Sequence, residues 1–77
     1  MKNSTDVVIH INEKLDNQRR TKFSDTVQQM KGVVSASLQE SRPQLMIVAY
    51  NSSETKAQSI LSNVRKTGMQ AQLVGWL

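Results

Sequence analysis

Cysteine is absent from the sequence. That removes disulfides, thiolate metal ligands, iron–sulfur clusters and a cysteine nucleophile from consideration. Histidine occurs once, at His10, so no second imidazole exists to complete a catalytic or metal-binding group. Gly32, Gly68 and Gly75 are the only glycines, and they stand apart, so no glycine-rich loop cradles phosphates. No serine lies in a Gly-x-Ser-x-Gly context. The six carboxylates are scattered among basic residues, with no pair spaced for acid/base work. Neither an enzyme nor a cofactor is expected. Apolar runs are short: none approaches the ~18 residues of a membrane span, and the stretch after the polar Met1 to Asp6 is too brief for a secretory signal. The expectation is a cytoplasmic protein with no membrane association.

What is present fits one small domain spanning residues 1–77. The chain has 77 residues, of which 38% are hydrophobic. A chain of this length buries only roughly 60% of its unfolded surface, enough for one two-layer core. The net charge is +4. Lys14, Arg19, Arg20 and Lys22 gather near the start of the first helix, where Glu13 and Asp16 partly offset them. This basic patch is a candidate for weak nucleic-acid binding, but a nucleic-acid footprint asks for a denser stripe.

The periodicities give six elements. Val7 to Ile11 is almost continuously apolar and reads as a strand with neighbours on both sides. Phe23, Val27 and Met30 fall on one helical stripe. Asp16 or Asn17 is placed to cap the helix start, Lys31 to face its dipole and Gly32 to stop it. Val33 to Leu38 alternates as a half-buried strand. Gln39 to Pro43 is a polar turn, and Leu45 to Tyr50 is a second wholly apolar strand. Asn51, Ser52 and Ser53 offer N-cap chemistry, with Glu54 in the first turn of a second helix. Ala57, Ile60, Leu61 and Val64 form that helix's apolar stripe, Arg65 and Lys66 suit its end, and Gly68 closes it. Met69 to Leu77 is the last strand. The order β-α-β-β-α-β, with right-handed crossovers, gives an α+β sandwich of the ferredoxin-like type. It is a four-stranded antiparallel sheet with both helices on one face and the two most apolar strands at its centre.

From Phe23 onward the sequence resembles the heavy-metal-associated domains of copper chaperones and metal-pumping ATPases. The likeness rests on Met30-Lys31-Gly32-Val33-Val34-Ser35-Ala36-Ser37-Leu38, on Val48-Ala49-Tyr50-Asn51 and on Lys66-Thr67-Gly68. It implies the same ferredoxin-like fold. Counting back from Gly32, that family's Cys-x-x-Cys falls on Asp16-Asn17-Gln18-Arg19. Soft Cu(I) is held by thiolates, and here those ligands are missing. Metal carriage by the family's mechanism is therefore not implied.

The remaining candidates are surfaces. RNA-recognition motifs share this element order, but they stack bases on aromatics of the first and third strands. Here the first strand has none and the third only Tyr50. His10 with Asp16, Met46 and Met69 is the alternative route to a metal, although methionine on a strand is more often core. The open sheet face is the more informative feature. With Val7, Ile9 and Ile11 inward, Val8 and His10 face outward. With Met46, Val48 and Tyr50 inward, Leu45, Ile47 and Ala49 face outward beside them, and Val74 and Trp76 are expected to join them from the last strand. An apolar middle on a face expected to be polar points to a protein partner or a second copy.

Overall fold

The computed structural model describes residues 4–39 and 41–76. The polar start at Met1 to Asn3, Glu40 in the turn and Leu77 at the chain's end lie outside the described residues. The elements are β1 (Ser4–Ile11), α1 (Asn17–Gln28), β2 (Val33–Leu38), β3 (Leu45–Asn51), α2 (Ala57–Lys66) and β4 (Ala71–Trp76). The sheet is four-stranded in the order β2-β3-β1-β4, with every neighbouring pair antiparallel. This is the expected βαββαβ sandwich, with β1 and β3 central.

The two central strands alternate cleanly between core and open face. Val7, Ile9 and Ile11 of β1 and Met46, Val48 and Tyr50 of β3 are buried, while the residues between them are half-buried. Both helices lay their stripes on the buried side: Phe23 and Val27 from α1, and Ala57, Ile60, Leu61 and Val64 from α2. Leu15, Met30 and Met69 pack against the rim of this core. β1 begins at Ser4, earlier than its apolar run, because Ser4, Thr5 and Asp6 find ladder partners in Asn51, Tyr50 and Ala49. Pairing overrides local propensity there.

Two helix boundaries differ from expectation. Asp16 does cap α1, its carboxylate accepting the Arg19 N–H at 2.8 Å. The helix ends at Gln28, however, so Met30, Lys31 and Gly32 lie beyond it and Lys31 does not face the dipole. Two tight turns, Met30 N–H to Val27 O and Val33 N–H to Met30 O (both 3.1 Å), carry the chain into β2 instead. Gly32 adopts the left-handed conformation, at φ +81°.

At α2 the expected cap chemistry is consumed locally. The Asn51 side-chain oxygen accepts the Ser53 N–H at 2.9 Å, and its backbone oxygen accepts from Glu54 and Thr55. The helix then starts after Lys56, an N-cap residue that makes no side-chain cap bond, and Glu54 is left outside it. Lys56 has the extended backbone of an N-cap (φ −126°, ψ 154°). Lys56→Asp is therefore expected to stabilise the fold by about 1 kcal/mol through a cap bond and a favourable dipole contact. For a chain of this size that is a rise of roughly 4–8 °C in Tm, measurable by thermal unfolding.

Candidate functional site

The open face is built by the register of β1 on β3. Asp6 lies beside Ala49, Val8 beside Ile47 and His10 beside Leu45. These are the residues that alternate away from the core, so each row presents its pair to the side no helix covers. β2 adds Ser35 beside Ala49 and Ser37 beside Ile47, and β4 adds Gly75 beside Val8 and Gln72 beside His10. Val8, Ile47, Leu45 and Ala49 are only half-buried, being shielded by their strand neighbours alone. His10 is held from the residues just after β1: its Nδ1 lies 2.6 Å from the Asn12 side-chain oxygen, to which it donates.

Trp76 does not join this face. In β4, Leu73 pairs with Ile9 while Gly75 pairs with Val8, so Val74 is an extra, bulged residue. A bulge shifts every later residue by one place, and a one-residue shift exchanges the faces of a strand. Trp76 consequently pairs with the inward-facing Val7 and donates its indole N–H to the Tyr50 hydroxyl at 3.1 Å. It borders a cleft of about 250 Å³ on the helix side with Lys56, Ala57 and Gln58. Val74, 61% exposed, remains at the margin of the open face. The isolated Gly75 inside an apolar strand was the available signal, since such a glycine commonly marks a bulge.

β2 carries a matching irregularity. Val33 pairs with Tyr50 and Ser35 with Ala49, leaving Val34 as the extra residue, 63% exposed. Each edge strand also has one backbone carbonyl covered by a helix side chain. Gln28 donates to Ala36 O at 3.2 Å, and Arg65 donates to Ala71 O at 3.0 Å. Bulges and covered carbonyls are the usual devices that discourage edge-to-edge pairing. The open face is the less protected surface.

The four basic residues are not brought together as one stripe. Arg20 leans across β2, its Nη2 3.5 Å from Gln39 O, in a groove of about 390 Å³ shared with Ser24, Asp25 and Ser37. Its Nε is buried and has no hydrogen-bond partner among the described residues. Arg19 and Lys22 border a different cavity, of about 190 Å³, with Phe23 and Met69, and Lys14 is exposed in the loop before α1. The alternative metal ligands are likewise dispersed or occupied. Met46 is wholly buried, Met69 packs on the core, and the Asp16 carboxylate holds the helix start. Among the described residues no group of three or more His, Asp or Glu side chains converges. No polar or charged residue among them is buried.

The same fold is found in solved structures of low sequence identity. A solved N-terminal domain of a potential copper-translocating P-type ATPase from Bacillus subtilis, in its Cu(I)-loaded state, superposes with a TM-score of 0.81. The sequences are 18% identical, covering 96% of this chain and 91% of that one. The apo copper chaperone of Enterococcus hirae gives 0.77 at 16% identity, covering 88% of this chain and 98% of the chaperone. The fold of these two proteins is thus present on a chain with no cysteine. No family model and no curated protein matches the sequence. Among the described residues, no helix is long and apolar enough to cross a membrane.

Proposed function

We propose that this chain is a non-enzymatic, cytoplasmic docking module that binds a protein through its open sheet face. The observation that carries the reading is the row Ile47–Val8 with Leu45 and Ala49 beside it, half-buried by neighbouring strands and covered by no helix. Apolar side chains at the centre of an uncovered face gain free energy when a second surface removes them from water. The blunted strand edges and the dispersed basic residues favour this face over the other two surfaces. The fold's relatives in three dimensions include a copper chaperone. Without thiolates, this chain keeps that scaffold for protein contact rather than for Cu(I).

Leu45→Lys combined with Ile47→Lys tests the reading. Both side chains already touch solvent, so the lysines extend outward and the circular dichroism of the folded chain is expected to persist. In a pull-down from the native cell extract, the wild type is expected to retain a protein that the double variant loses. Equal recovery by the two baits would remove the face from consideration.

A further inference from the structure

The register of the open face is self-complementary, and we propose that its partner is a second copy of this chain, stacked face to face about a two-fold axis. The proposal rests on the docking role of the face. The axis would lie in the interface and run across the strands along the row Ser37, Ile47, Val8, Gly75. Rotation about such an axis keeps β1 over β1 and β3 over β3 but reverses their direction. Val8 then meets Val8 of the second copy and Ile47 meets Ile47. The row above the axis, Asp6 with Ala49, meets the row below it, His10 with Leu45.

Both halves of that exchange are favourable. Asp6, exposed on β1, comes opposite His10, an acidic side chain facing a basic one. The neighbours of His10 in its own row are Leu45 and Gln72, neither of them charged. Leu45 comes opposite Ala49, so a large side chain faces a small one and the two layers interdigitate. An axis along the strands would instead bring like residues level with one another, Asp6 near Asp6 and His10 near His10, and would lose both matches. The face is small. Four strands about 4.8 Å apart and six residues long at about 3.3 Å per residue present roughly 400 Å², which places the contact among weak, transient interfaces.

The experiment is sedimentation velocity from about 10 µM to about 1 mM, at low salt and about pH 6, with circular dichroism to confirm folding. The wild type is expected to dimerise within this range. Asp6→Lys alone and His10→Asp alone each place like charges opposite one another, and each is expected to weaken the dimer about tenfold. The combined Asp6→Lys, His10→Asp variant exchanges the charges and is expected to return to wild-type affinity, which a merely local effect of either substitution would not produce. A wild type that stays monomeric to 1 mM, or a double exchange no better than its worse single variant, overturns the proposal. If the wild type is monomeric while the pull-down difference for Leu45→Lys, Ile47→Lys persists, the docking face stands with a different partner. If both fail, the docking role falls with it.

Discussion

Gly32→Ala is expected to cost the fold about 2–4 kcal/mol, for two separable reasons. The first is conformational, because Gly32 sits at φ +81°, where an L side chain is strained. The second is spatial. A Cβ on Gly32 would lie 2.7 Å from Thr55 Cγ2, 2.9 Å from Thr55 Cβ and 3.2 Å from Glu54 Cβ. The backbone has little room to retreat, since Gly32 O accepts the Asn51 N–H at 2.7 Å and so ties the turn after α1 to the end of β3. Gly68→Ala separates the two contributions: Gly68 has φ +95°, but a Cβ there meets nothing within 4 Å. That variant is expected to lose about 1 kcal/mol, the conformational part alone. A chain of this size has roughly 4–12 kcal/mol in total, so urea unfolding resolves the difference easily. Equal losses at the two glycines would show that the close approach to Thr55 is not a constraint.

Gly32 also illustrates what was legible in the sequence. A left-handed glycine between helix and strand could be read there, but not its distance from the helix end. Gln28 is the last helical residue because tight turns through Met30 bring the chain round before Gly32 is reached. The central strands were the most legible elements. Their unbroken apolar runs required neighbours on both sides, but a run apolar on both faces does not itself say which of Val7 and Val8, or Met46 and Ile47, faces the core; the observed burial of Val7 and Met46 decides it. The edge strands were less so. Period-two counting from Ala71 and Leu73 puts Val74 outward correctly but carries Trp76 to the wrong side, because the bulge at Val74 is a property of the pairing with β1 and not of β4 alone. The α2 cap failed for a similar reason: Asn51 is still paired with Ser4 in the sheet, and its side chain turns the chain before the helix begins. The dispersal of Arg19, Arg20 and Lys22 followed from helical geometry, since adjacent residues point about 100° apart. In a linear sequence they read as one patch.

The same alternation makes adjacent residues of β1 respond in opposite ways to truncation. Ile9 is 0% exposed and lies between Met46 and Leu73 in the middle of the sheet, in the core cluster to which both helices contribute. Ile9→Ala removes three carbons from a site whose neighbours belong to three strands held in register, so the surroundings cannot close the gap. The expected loss is about 3–4 kcal/mol, made up of lost transfer free energy and the residual cavity. Ile9→Val, which removes one carbon, is expected to lose about 1 kcal/mol. Val8, one residue away, is half-buried on the open face and leaves no cavity when shortened; Val8→Ala is expected to lose about 1 kcal/mol or less in the isolated chain. Its effect should appear instead in association, because Val8 lies on the axis row where two copies would meet. Urea unfolding at low protein concentration measures the first pair of effects and sedimentation the second. A Val8→Ala loss as large as that of Ile9→Ala would mean that the two faces of β1 are equally committed to the core, leaving no apolar surface on the open side for a partner to bury.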